Sequence, residues 1–293
     1  MPGALKEVRN RIKSVQSTQQ ITKAMKMVSA AKLRRAQEAI IQMRPYAQKL
    51  QEMLSNIVSG SDDTGAELAI ERTPEKVLLI VVASDRGLCG AYNANIIKLA
   101  RTVAQEKYAQ QLAKGNVTMW PIGKKAFEAF QRLKMNMNSA YKDVFLSLSF
   151  ENVQQVAKAA VEGFSKKEFD VVEVVYSEFR NAATQVFTVE RFLPIPKAVN
   201  KTGKATKADF IFEPDKATLI AELMPKILNT QLYKAVLDAN ASEHGARMTA
   251  MDKASENANE LLKGLRISYN RARQAAITTE LTEIVSGAAA LQG

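Results

Sequence analysis

The residues best placed to do chemistry are SDRGLCG, 84–90, a glycine-rich turn directly after the apolar run KVLLIVVAS, 76–84. A turn between a strand and a helix can cradle phosphate with backbone N–H groups. The spacing here matches neither G-x-G-x-x-G nor G-x-x-x-x-G-K-S/T. The plainer reading is a structural turn built by Asp85, Gly87 and Gly90, with Asp85 accepting backbone N–H groups. Cys89 is the only cysteine and His244 the only histidine. Cys89 therefore reads as a small buried hydrophobe, since its one possible histidine partner is far along the chain. A single histidine excludes a histidine-built triad or metal cluster. Carboxylates are scattered without a catalytic pair, so no catalytic, cofactor-binding or metal-binding residues are expected.

Two other groups carry polar chemistry without an obvious reaction. NRARQAAITTE, 270–280, places Arg271, Arg273 and Gln274 beside small residues, and Thr278 follows on the same helical face. Its plain reading is a solvated face. Met25, Met27, Met43, Met248 and Met251 read as helix packing, or as an adaptable surface that slides against several partners. The formal charge is +11. Residues 1–36 hold nine bases, among them Lys23, against one acid, Glu7. Such a helix suits nucleic acid, an anionic membrane face or an acidic protein sleeve, or is simply a solvated basic face. Its few aromatics weaken the nucleic-acid option.

The elements that position these residues are unusual at both ends. Residues of about 3–58 and 215–290 both read as long helix. At 1.5 Å per residue the second is roughly 110 Å long. No single core of a 293-residue chain buries such a rod. The two ends must pair with each other, lie inside a partner, or both. In the first rod Leu5, Val8, Ile12 and Val15 form a coiled-coil seam. Ser17, Thr18, Gln19 and Gln20 interrupt it, and the apolar series resumes out of phase at Ile21, Met25 and Val28. That predicts a local change of supercoil. Pro45 is expected to bend this rod without ending it. In the second rod Ile220, Leu223, Ile227, Leu228 and Leu232 open a stripe that runs on through Met251, Leu262 and Tyr269 to Ile277, Leu281, Ile284 and Val285. Asp215 is its expected N-cap.

Between the rods, strands are expected at 76–84, 117–123, 170–179 and 185–194, with helices at 93–114, 124–133 and 151–166. The last two strands read as a hairpin at a sheet edge. The alternation predicts an α/β, doubly wound, Rossmann-like domain. SGSDDTG, 59–65, reads as linker, NKTGKATK, 200–207, as loop, and DFIFEP, 209–214, as a short strand. The expected division is 1–58 N-terminal coiled-coil helix, 59–75 linker, 76–213 central α/β domain and 214–293 C-terminal coiled-coil helix. No run of 18 apolar residues spans a membrane. The single cysteine suits a reducing compartment, and MPGALKEVRNRI lacks a secretory signal.

Four segments together resemble the gamma-subunit family of F-type ATP synthases. They are RIKSVQSTQQITKAMKMVSAAKLRRAQ (11–37), SDRGLCG with Asn93, ARMTAMDKASENA (246–258) and YNRARQAAITTELTEIVSGAAAL (269–291). The resemblance covers the chain in order. Ser17 stands where many relatives carry Asn. A cysteine-pair insert and a transit peptide are lacking, which favours a bacterial form.

The resemblance implies an antiparallel coiled coil of the two rods inside a ring of three alpha and three beta subunits. It implies an α/β domain against the epsilon subunit and the membrane ring of c subunits. Proton-driven rotation of the c-ring would be coupled through this shaft to ATP synthesis at the beta sites, and the chain itself would be no enzyme. Lys23, Met25, Arg271, Arg273, Gln274 and Thr278 would touch the alpha/beta ring. The location implied is peripheral, on the cytoplasmic side of the cell membrane, with no nucleic acid and no cofactor. A basic coiled coil that binds nucleic acid or acts as a scaffold is the alternative.

Overall fold

A computed structural model describes residues 2–59, 68, 70–182, 184–195 and 216–292. Side chains are described for these except at 2–4, 44, 47, 48, 51–59, 216–222 and 292. The expected linker beyond Ser59, the loop 200–207, the strand 209–214 and the cap Asp215 lie outside the described residues. The chain divides into two compact units. One is Met1–Ser29 with Met248–Gly293, and the other is Ala30–Arg247.

Two helices dominate: α1, Pro2–Ser59, and α6, Lys216–Gln292. Pro45 sits inside α1 and Pro225 inside α6 without ending either. A proline removes one backbone donor, and a long helix with a packed face tolerates the loss.

The sheet unit contains β1, Val77–Val82; α2, Tyr92–Thr102; α3, Ala109–Ala113; β2, Val117–Ile122; α4, Lys124–Arg132; α5, Phe150–Ser165; β3, Val171–Phe179; and β4, Gln185–Leu193. The strand order is β2-β1-β3-β4. β1 pairs in parallel with β2 and β3, and β4 runs antiparallel to β3 as the expected edge hairpin. Every residue of β1 is buried, because helices cover both faces of the sheet. Leu78, Ile80 and Val82 pack with α5 (Val153, Val156, Phe164) and with α6 (Met224, Leu228, Leu232). Val77, Leu79 and Val81 pack on the other side with Tyr92, Ile96 and Phe130. Burying one such aliphatic side chain contributes about 1.5–3 kcal/mol, so β1 anchors both layers.

The expected helix 93–114 is broken. Val103–Lys107 form a π turn between α2 and α3. Ala104 enters the core, and Lys107 Nζ reaches the buried Glu173 at 2.5 Å. Arg191 Nε meets the same carboxylate at 3.2 Å. No local residue type announces this turn, because its partner lies 66 residues away.

The other unit pairs the start of α1 with the end of α6, antiparallel. Arg9 Nη2 donates to Tyr269 Oη at 2.9 Å, and Lys26 Nζ to Asp252 Oδ1 at 2.6 Å. The expected phase break does not occur. Leu5, Val8, Ile12, Val15, Gln19, Thr22, Lys26 and Ser29 are covered positions of α1 spaced three and four without a slip, with Gln16 and Met25 partly covered beside them. In α6 Met248, Met251, Ser255, Ala258, Leu262, Leu265, Tyr269, Ala272, Ala276 and Thr279 keep the same spacing, with Thr249, Ala250, Asp252 and Ala254 partly covered beside them. Polar side chains hold the seam where the apolar series was expected to shift. Ile21 and Val28 lie outside it, 56% and 57% exposed.

Candidate functional site

The turn after β1 is tied down by its own neighbours. Ser84 N–H donates to Asn93 Oδ1 at 3.0 Å, and Asn93 Nδ2 donates to Ser84 Oγ at 2.8 Å and to Cys89 Sγ at 3.2 Å. Cys89 is buried, as its reading as a small hydrophobe requires. Asp85 Oδ1 accepts from the Lys124 N–H at 3.1 Å, which satisfies the first amide of α4. Leu88 and Gly90 take left-handed backbone angles, φ 65° and 61°. Gly87 has open space around its Cα, and its role lies in its carbonyl.

That carbonyl points to α6. The guanidinium of Arg247 donates to Gly87 O and, at 3.2 Å, to Arg86 O. Glu243, one helical turn earlier, accepts from Arg247 Nε at 3.1 Å. Arg247 and Glu243 are both buried. The same stretch of α6 makes three further close contacts, with α2, with β3 and with the loop after β3. Tyr92 Oη donates to Ala239 O at 3.0 Å, and Ser242 Oγ to Ser177 O at 3.2 Å. A Cβ on Gly245 would stand 3.0 Å from Ala182 O. Residues 239–247 of α6 are thus held at four points across the carboxyl ends of β1 and β3.

His244 lies in this stretch with its Nδ1 buried and unbonded. Burial lowers its pKa from the ordinary value; Glu243 opposes the shift, and Lys32 and Arg247 reinforce it. Among the described residues no group of three or more His, Cys, Asp or Glu could hold a metal ion. No described helix is long and apolar enough to cross a membrane.

The coil unit carries the other expected residues. Lys23, Arg271, Arg273, Gln274 and Thr278 are exposed, and Met25 is half-buried at the flank of the seam. Arg271, Gln274 and Thr278 share one outward face of α6, and Arg273 stands to its side. The seam itself is polar in its middle. Thr22 Oγ1 and Ser255 Oγ are 2.7 Å apart, both buried. The adjacent Lys26–Asp252 pair is 41% and 45% exposed, so it contributes roughly 0–1 kcal/mol. Neither pair was expected from the sequence, although Thr22 and Ser255 fall on the heptad spacing.

With Arg9 opposite Tyr269, the start of α1 faces about residue 276 of α6. The last turns of α6 have no part of α1 opposite them. Every described side chain from Glu280 to Leu291 is exposed, including Leu281, Ile284, Val285 and Leu291. The apolar stripe read through Ile277, Leu281, Ile284 and Val285 is thus exposed on this helix.

Comparison with known proteins bears on what this arrangement serves. A family model described as ATP synthase matches residues 4–291. The ATP synthase gamma chain of Cytophaga hutchinsonii is 52% identical over 295 aligned residues, covering 99% of both chains. That of Chlorobium phaeobacteroides is 50% identical, again over 99% of both. In fold, the chain is similar to one from the rotor of the Euglena gracilis mitochondrial ATP synthase. The TM-score there is 0.65 at 21% identity, over 94% of this chain and 100% of the other. A chain from the central stalk and c-ring of the Tetrahymena thermophila enzyme gives a TM-score of 0.57 at 24% identity, over 80% of this chain and 99% of the other.

Proposed function

Since the chain belongs to the gamma chain family of ATP synthase, as a non-catalytic rotor subunit of the central stalk, we propose that it turns as the shaft of an assembly with three alpha and three beta subunits. The coil of α1 and α6 lies within that ring. The sheet unit bears on the epsilon subunit and the c-ring, on the cytoplasmic side of the cell membrane and peripheral to it. Rotation presents different faces of the coil to the three beta sites in turn, and the ATP chemistry belongs to those sites.

The observation that carries this reading is the length of the match, residues 4–291, which takes in both long helices. The side chains outside the seam support it. Lys23 and Met25 put a cation beside a flexible apolar contact, and the excess of bases on α1 suits acidic partner loops. Arg271, Arg273, Gln274 and Thr278 offer short polar contacts worth about 1 kcal/mol each, more where charged. Contacts of that size break and re-form as a shaft turns, whereas much stronger ones would trap it.

The test is purification of the native complex with subunit counting and ATP-driven proton pumping. A 3:3:1 assembly of alpha, beta and this chain that pumps supports the reading. Retention of the chain on nucleic acid, lost at moderate salt, with no such assembly, overturns it in favour of a basic nucleic-acid-binding coil.

A further inference from the structure

In an open doubly wound sheet the natural ligand crevice lies outside the carboxyl ends of the strands, where neighbouring connections leave in opposite directions. In this sheet that place is between β1 and β3. The connection from β1 leads through α2 to β2, and β3 is reached on the other side through α5. The segments that line it are the turn 84–90 and the residues after Phe179. Both are in contact with α6 at 242–247.

The chemistry of the turn is the reverse of a phosphate cradle. A phosphate loop turns N–H groups inward. Here the carbonyls of Arg86 and Gly87 turn inward, and they receive the guanidinium of Arg247. The Ser84 N–H is already held by Asn93. Glu243 orients and neutralises the guanidinium from the same helix. Arginine suits this place because its planar fork can serve two carbonyls and a carboxylate at once, which a lysine ammonium cannot match.

We infer that Arg247 is a positioning residue for coupling: the crevice where related sheets take a ligand is here a guanidinium cradle that fastens the central sheet to α6. Force applied to the sheet reaches α6 through the apolar packing of Met224, Leu228 and Leu232 and through the four contacts of residues 239–247. Among those four, Arg247 supplies the charged tie. This rests on the shaft reading, so the test has one arm that depends on rotation and one that does not.

The first arm is hydrogen exchange on the isolated full chain. Arg247→Ala is expected to speed exchange at least tenfold for amides of the 84–93 turn, with the β1 amides unchanged. Arg247→Lys should give an intermediate effect. Unchanged exchange in the turn overturns the inference and leaves the shaft reading intact.

The second arm uses the assembled complex. Arg247→Ala is expected to lower protons pumped per ATP hydrolysed at least twofold, with partial rescue by Arg247→Lys. A normal ratio in an assembled variant overturns the coupling role. If Arg247→Ala fails to assemble, the triple variant Gly87→Cys/Arg247→Cys/Cys89→Ser decides. Assembly and pumping regained with a short bis-maleimide, and absent without it, support the tie. No difference between the two treatments refutes it. A wild-type complex that hydrolyses ATP without pumping fails the shaft reading instead.

Discussion

Thr22 Oγ1 and Ser255 Oγ meet at 2.7 Å inside the seam between α1 and α6, at a level where a coiled coil ordinarily carries apolar side chains. Each hydroxyl also has a carbonyl on its own helix within reach. Thr22 Oγ1 is 3.0 Å from Gln19 O, and Ser255 Oγ is 2.9 Å from Met251 O. A hydroxyl has a single proton, so while one of the two bonds its own carbonyl the other donates across the seam, and each depends on its partner.

Replacing one partner should cost more than replacing both. Thr22→Val is expected to destabilise the chain by about 1 kcal/mol, and Thr22→Val/Ser255→Ala to recover most of that loss. Thermal unfolding of the two singles and the double gives the coupling directly. Additive losses would mean that the hydroxyls do not depend on each other.

Gly123 precedes α4 with φ 99°, and a Cβ there would lie 2.2 Å from Ala83 O. Gly123→Ala combines a left-handed strain with a backbone clash. It is expected to cost about 3 kcal/mol or more. Gly87→Ala meets open space and should stay within about 0.5 kcal/mol of wild type. Equal melting temperatures for the two variants would contradict this account.

His244 makes stability depend on pH. Burial depresses its folded pKa below the ordinary 6.5. As pH falls through 6.5 the unfolded chain takes up the proton first. The stability from keeping the ring neutral is full above that pH and is lost below it, down to the depressed folded pKa. Melting temperature measured from pH 7.5 to 5 should fall more steeply in wild type than in His244→Gln. Parallel profiles would remove His244 as the cause.

The outward face of α6 is testable in the complex. Arg271→Ala/Gln274→Ala should lower turnover or assembly. Helix content should be kept, because alanine is the better helix former. Full ATPase activity and normal assembly in the double variant would mean that this face is only solvated.

The sheet was legible because its signals are local. The apolar run at 76–84 is a β1 buried on both faces, and 170–194 is a hairpin whose outer strand closes the edge. The ends of α1 and α6 were legible because a long helical pattern with few breakers has few alternatives. The seam was misread at 17–28 because apolar residues drew it toward Ile21 and Val28, which are exposed, while Thr22, Lys26 and Ser29 kept the heptad. Sequence periodicity weighs apolar side chains alone and misses a seam held by hydroxyls. The role of Arg247 was hidden for another reason: beyond Glu243, its acceptors are backbone carbonyls 160 and 161 residues away, which carry no side-chain signal.

The exposed end of α6 has a thermodynamic meaning. A dozen residues of solitary helix are marginal in water, since nucleation is costly and no packed face repays it. Glu280 to Leu291 is such a stretch, extended from a helix already nucleated. Its order in the free chain is borrowed from the paired turns before it, and should fade toward the tip. A sleeve that covers Leu281, Ile284 and Val285 would supply the missing hydrophobic contribution. Winding of the tip and its capture by a partner are then one equilibrium, and the affinity of that capture is reduced by whatever fraction of tips is unwound.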